Sequence, residues 1–266
     1  MAMSEEESGR WTAFEAKERV AVIRLCNPPM NILTREIRAE IGSWIERFNG
    51  DDSLRAVVLT GEGTRGFSAG ADLKEFKRLL DENRWREHAE DEHAVYASIA
   101  DSPKPVIAAL HGFVLGGGLE LALACDLRVA DEETKLGLPE AKIGIFPAGG
   151  GTERLPRLIG IPKALELMWL GEPIPAEEAL RIGLVNRVVP PGRSLATAEA
   201  WAATIASRPL TSIRTIKALV RRGMEVSFGK AESLAVAALG ELFRTHDLRE
   251  GVEAFLEKRP PRFEHR

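Results

Sequence analysis

The run Gly116-Gly117-Gly118-Leu119-Glu120 constrains this chain more than any other stretch. It lies inside an apolar segment, Val106 to Ala124. A lone carboxylate there costs several kcal/mol unless it is paired, hydrogen-bonded or protonated. Leu121 to Ala124 is good helix-forming sequence, so the glycines mark a helix start. The first turn of a helix carries backbone N–H groups without intrahelical partners, at the positive end of the dipole. Glycines at that place let a ligand touch the backbone. Glu120 lies about one turn on from Gly117, and helical side chains lean back toward the N-terminus. Donors and carboxylate can therefore face one ligand, which is the anatomy of a site that stabilises an oxyanion and moves a proton.

The rest of the chain supplies strands and helices in alternation. Val20 to Leu25, Arg55 to Thr60 and Pro105 to Leu110 read as buried strands. Asp126 to Ala130, Thr134 to Gly137 and Val185 to Val189 read as shorter ones. Between them, Thr34 caps a helix to about Asn49, and Asp72 to Leu80 and Asn83 to Ala100 read as further helices. After Gly149 the pattern becomes almost wholly helical, through Thr152 to Leu158, Pro162 to Leu170, Ala176 to Ile182, Ser194 to Ala206, Thr211 to Arg222, Gly229 to Arg244 and Leu248 to Leu256. The expectation is an α/β fold with a core over residues 1–190 and a helical C-terminal module over 191–266. The apolar faces of that module, such as Leu234, Ala238, Leu242 and Phe243, exceed what one small core needs.

Charge and composition exclude several function classes. The formal net charge is −4 and no basic stripe appears, so neither nucleic acid nor an anionic membrane is expected as main partner. The charge-poor stretch from Pro105 to Leu119 is too short and glycine-rich to span a bilayer. Met1 to Arg10 is acidic and polar, without a signal-peptide core. The cysteines Cys26 and Cys125 show no metal-type spacing and read as reduced thiols, so the expected setting is the cytoplasm.

Three patterns resemble functional motifs without their context. Gly61 to Gly66 spells a dinucleotide fingerprint, but no helix opens at its third glycine, and a flexible surface loop is the better reading. Gly66 to Gly70 spells a nucleophile elbow around Ser68, but the strand ends near Thr60, too early for a sharp strand-to-helix turn. His88 and His93 are spaced i, i+5 and do not share a helix face, so a solvated helix surface is expected there and no metal site. His111 reads as a satisfied core histidine.

Four segments together resemble the enoyl-CoA hydratase/isomerase, or crotonase, superfamily: residues 67–76 (FSAGADLKEF), 108–130 (AALHGFVLGGGLELALACDLRVA), 135–160 (KLGLPEAKIGIFPAGGGTERLPRLIG) and 250–263 (EGVEAFLEKRPPRF). The likeness covers nearly the whole chain from about Val20. It implies a spiral core of repeating ββα turns, a helical trimerisation module, and a homotrimer or a homohexamer built from two trimers. It implies an acyl-CoA thioester ligand, with coenzyme A as part of the substrate and no separate cofactor or metal. The two oxyanion N–H donors fall by motif on Ala71 and Gly117, and the two catalytic acids on Glu120 and Glu140. Acyl-CoA contacts fall on Ser68, Ala69, Asp72, Leu73 and Lys74, on Leu138 and Ala148, and, reaching a neighbouring subunit's CoA, on Phe255 and Lys258 with Arg259. The chain departs from the family pattern at Pro29, where a lysine is common, at Leu138, where a glutamine often stands, and at Ala148, where many hydratases have glycine.

Both acids together suit water addition to a 2-trans-enoyl-CoA, since one carboxylate takes a proton from water while the other acid protonates the α-carbon. The resemblance assigns Glu120 to water and Glu140 to the α-carbon, as one coupled pair. The alternatives are a Δ3,Δ2-enoyl-CoA isomerase or another acyl-CoA lyase, a serine hydrolase using Ser68, and a non-catalytic CoA-binding or RNA-associated scaffold. The two glutamates argue against loss of catalysis, and the acidic charge argues against RNA.

Overall fold

The computed structural model describes residues 5–265. Three strands come first, β1 (Glu5–Ser8), β2 (Thr12–Lys17) and β3 (Val20–Leu25), and α1 (Arg35–Gly50) follows. Next are β4 (Ala56–Gly61), β5 (Gly66–Ser68), α2 (Leu73–Glu82) and α3 (Trp85–Ala100). The pattern of two strands and a helix recurs in β6 (Val106–Leu110), β7 (Phe113–Leu115) and α4 (Gly117–Ala124). It recurs again in β8 (Leu127–Asp131), β9 (Lys135–Gly137) and α5 (Gly151–Ile159), with a 3-10 turn at Glu140–Ile143 before the helix. α6 (Ile161–Leu170), β10 (Ile174–Pro175), α7 (Ala176–Arg181) and β11 (Arg187–Val189) lead to α8 (Ser194–Ala206), α9 (Leu210–Gly223), α10 (Phe228–Leu242) and α11 (His246–Leu256).

Each repeat places its first strand in one sheet and its second in another. The larger sheet runs β1-β2-β3-β4-β6-β8-β11, and the smaller runs β10-β9-β7-β5. From β3 to β11 the larger sheet is parallel, as are β5, β7 and β9 in the smaller. This is the expected ββα spiral. β4 and β6 are buried along their whole length, as uncharged strands flanked on both faces must be. Val57 and Leu59 face the main core, whereas Val58, Ile107 and Val129 face outward. Ala198 and Ala202 of α8 cover that outward face. The first helix of the expected C-terminal module is thus a layer of the α/β core, and the purely helical end begins with α9.

Sequence reading identifies the long elements and the strands β8, β9 and β11, and overlooks β1, β2, β5, β7 and β10. β1 and β2 form an antiparallel hairpin that extends the larger sheet. β1 is acidic and polar, and β2 exposes part of its length, so neither carries a strong apolar signal. β5 and β7 have three residues each, too few for a period-two pattern to register.

The glycine run is where two successive repeats touch. A Cβ on Gly118 would lie 2.4 Å from the carbonyl oxygen of Ser68, which is backbone and has little room to move. α4 packs this closely on β5 because position 118 has no side chain. Gly118→Ala is expected to cost about 1–3 kcal/mol through overpacking. Urea unfolding of the purified variant measures this, and an unchanged midpoint would count against so close a contact.

Candidate active site

The loop after β5 carries Ala69, Gly70 and Ala71 into the Asp72 N-cap of α2, where the Asp72 carboxylate accepts from Lys74 N at 2.9 Å. Gly70 has φ +91°, and a Cβ there would stand 3.0 Å from Gly117 N and 2.9 Å from Leu115 O. A glycine is therefore needed for this loop to reach the start of α4. The Ala71 N–H donates no hydrogen bond among the described residues. Gly117 is the first residue of α4, so its N–H lacks an intrahelical acceptor. A Cβ on Gly117 would stand 3.7 Å from Ala71 N, so the loop after β5 and the start of α4 bring these two donors close together.

Two buried carboxyls lie around the start of α4. Glu120, 3% exposed, accepts from the N–H of Gly151 at 2.9 Å. Its other oxygen lies against Gly149, where a Cβ would come within 2.8 Å of it. Glu140 opens the 3-10 turn after Pro139, and its Oε1 lies 3.1 Å from the Cβ position of Gly116. Its Oε2 is buried and has no hydrogen-bond partner among the described residues. Burial pushes the Glu120 carboxyl well above the ordinary carboxylate range, with Glu92 and Glu140 adding to the rise. Burial likewise raises Glu140 from 4.5 to about 7, and Glu92 adds to that. Two buried acids whose surroundings disfavour ionisation thus lie close to the start of α4, where the Gly117 N–H has no intrahelical acceptor and the Ala71 N–H donates no hydrogen bond among the described residues.

The other expected contacts are scattered around this centre. Ser68 is fully buried behind it, donating to Asn31 O at 2.7 Å and accepting from Gly70 N at 3.1 Å. Both bonds of its hydroxyl go to backbone, which is not the exposed, base-paired setting of a serine nucleophile. Ala69 and Ala148 are half-buried, and Leu138 is buried against Gly151 as an apolar wall. Leu73 and Lys74 are exposed on the first turn of α2. Phe255 and Lys258 lie exposed at the end of α11, uncovered by any described residue of this chain.

Two histidine readings are corrected. His88 is buried, because α3 turns it inward onto Arg38, whose guanidinium lies 3.1 Å from His88 Nδ1. His111 is half-buried, and its Nε2 has no hydrogen-bond partner among the described residues. Sequence reading also missed Glu92 and Tyr96, which sit behind the glycine helix. Their i, i+4 spacing, with the chain's only tyrosine, was the available signal. The acidity of the surrounding helix made them look solvated.

Among the described residues, no group of three or more His, Cys, Asp or Glu is arranged to hold a metal ion. No described helix is long and apolar enough to cross a membrane.

Residues 15–266 match the family described as enoyl-CoA hydratase/isomerase. The chain belongs to the enoyl-CoA hydratase/isomerase family. A crotonyl-CoA hydratase of Syntrophomonas wolfei is 40% identical over 94% of this chain and 96% of its own length. A short-chain-enoyl-CoA hydratase of Clostridium acetobutylicum is 38% identical over 92% of this chain and 94% of its own. The crystal structure of an enoyl-CoA hydratase from Bacillus anthracis superposes with TM-score 0.90 at 35% identity, covering 99% of both chains. This family member therefore shares both fold and sequence with hydratases from end to end.

The raised Glu140 carboxyl makes stability depend on pH. It titrates near 4.5 in a free side chain and near 7 in the folded protein. Between those values the folded chain holds the extra proton, so stability falls as pH rises. Glu140→Gln removes this loss. Relative to the parent, the variant is expected to gain on the order of 2 kcal/mol between pH 4.5 and pH 8. Chemical denaturation at both pH values checks the sign, and a gain confined to low pH would be the wrong one.

Proposed function

We propose that this protein catalyses reversible syn addition of water to a 2-trans-enoyl-CoA. The observation that supports the reading is two buried carboxyls, Glu120 on α4 and Glu140 against Gly116, close to two backbone donors, Ala71 and Gly117, that lie near one another. The thioester oxygen lies between the two N–H groups. Water attacks the β-carbon while one glutamate takes its proton, and the π electrons move onto the thioester oxygen as an enolate. The second glutamate then delivers a proton to the α-carbon, so the pair begins and ends the cycle with the same number of protons. We assign the water to Glu120, which a backbone N–H orients, and the α-carbon to Glu140, whose Oε2 is free of other partners among the described residues. Coenzyme A takes part as a portion of the substrate. A reducing, cytoplasmic setting suits the unpaired thiols of Cys26 and Cys125.

Glu120→Gln and Glu140→Gln keep shape and hydrogen bonding while removing the proton chemistry. Each is expected to fold and to lose roughly 10²–10⁴-fold in kcat for hydration. Loss of absorbance from a conjugated enoyl-CoA thioester measures it. Glu120→Gln with intact isomerisation of a 3-enoyl-CoA would instead favour the isomerase, and near-parent hydration in either variant would refute the two-acid mechanism.

We also infer a homotrimer, or a homohexamer of two trimers. α10 buries none of its residues within the chain. Leu234, Ala238 and Leu242 are half-covered, whereas Val236, Leu239 and Phe243 stand open. An apolar helix face of that extent needs a partner. Light scattering at micromolar concentration should give three or six times the chain mass, and a stable monomer would sink the inference.

A further inference from the structure

Glu92 and Tyr96 form a buried chain that ends on the glycine helix. The Tyr96 hydroxyl lies 3.0 Å from Gly117 O and 3.2 Å from Glu92 Oε1. A phenol has one proton to donate. Gly117 O is a carbonyl and can only accept, so if Tyr96 donates to it, the contact with Glu92 holds only when the carboxyl donates in return. Tyr96 is wholly buried and Glu92 is 7% exposed, so both groups are shielded from bulk solvent. The Cβ direction of Gly117 runs into this pair, 3.3 Å from the Tyr96 hydroxyl and 3.6 Å from Glu92 Oε1. The tyrosine ring also abuts Gly149, whose Cβ direction meets Tyr96 Cε2 at 2.6 Å and Glu120 Oε2 at 2.8 Å. One side chain thus braces both the first turn of α4 and the segment lying against Glu120.

We propose that Glu92, as a neutral carboxylic acid donating to Tyr96, is a positioning residue: through Tyr96 it holds the carbonyl of the Gly117–Gly118 peptide, and by bracing that turn it aims the N–H of the adjoining Gly116–Gly117 peptide. Burial, the largest influence, favours the protonated form; Arg38 of α1, the Tyr96 hydroxyl and His93 of α3 oppose it, and Glu75 of α2 supports it. Glu120 and Glu140 face the same pocket, and a charge on Glu92 would repel both. A neutral Glu92 therefore leaves the acid pair undisturbed while holding the tyrosine. The inference rests on Gly117 N–H being an oxyanion donor, as the proposed function requires.

Three substitutions in the full-length protein test it. Glu92→Gln keeps a donor, since its amide N–H₂ can bond the tyrosine oxygen. Glu92→Leu removes the donor at similar volume, and Tyr96→Phe removes the link itself. Thermal melts establish that each is folded. Hydration kinetics are then read beside the absorbance red shift of a bound aryl-conjugated enoyl-CoA, which reports polarisation of the thioester carbonyl without turnover. Misaiming a donor is expected to lower kcat roughly 10- to 100-fold in Glu92→Leu and Tyr96→Phe, with KM little changed and the red shift reduced. Glu92→Gln is expected to keep both readouts near the parent, and the double variant Glu92→Leu/Tyr96→Phe to be no worse than Tyr96→Phe alone. A folded Glu92→Leu with parent kcat and red shift would overturn the proposal. So would Glu92→Gln impaired as badly as Glu92→Leu, or losses that multiply in the double variant. A parent that neither hydrates nor shifts the probe would instead overturn the function on which the inference rests.

Discussion

The site depends on a contact between two pieces of backbone. Gly70 meets the N-terminus of α4 at a distance where any Cβ would collide with Gly117 N and Leu115 O, and Gly118 meets Ser68 O in the same way. Removing side chains at these positions brings two N–H groups from distant segments to one spot without a metal or a charged residue. Backbone donors of this kind are held by the fold itself, so they need no reorganisation when negative charge develops between them. The spiral of ββα repeats makes the contact possible. β5 and β7 are adjacent in the smaller sheet, so the loop after one and the helix after the other emerge side by side.

Around that contact the protein concentrates carboxyls that would be costly elsewhere. Glu92, Glu120 and Glu140 are all buried, and burial is the largest cause of the raised pKa in each. Three such groups in one pocket cannot all ionise at neutral pH, because each charge would raise the others further. A proton shared within the pocket is a physical consequence of packing them together. It is also what a reaction needs when it removes one proton and returns another. Apolar surroundings, including Leu138 against Gly151, shield these carboxyls from solvent.

The larger sheet and its flanking helices act as the rigid frame. Ser68 illustrates how polar groups serve that frame, since both bonds of its hydroxyl go to backbone and stabilise the turn that presents Ala71. The helices beyond α8 contribute less to the core of one chain. α10 leaves its outer face open, so the surface most in need of cover lies away from the sheets.

Much of this was determined by the sequence alone. The glycine run with its buried acid identified the helix start, the backbone donors and Glu120, because a carboxylate in an apolar run is costly unless the unpaired N–H groups beside it give it work to do. The long helices and the fully buried strands followed from periodicity and apolar runs. The second acid and the Ala71 donor came from resemblance to a family, since nothing local to Pro139-Glu140 or Gly70-Ala71 announces a site. Only the tertiary structure decided what each polar side chain faces. It bonded the Ser68 hydroxyl to backbone and drew His88 inward onto Arg38. It also placed Glu92 and Tyr96 behind Gly117. The reason is that one helix looks the same from outside and inside when its residues are mixed, as in α3. Which face is buried is set by the strands and helices that pack against it, and those come from far along the chain.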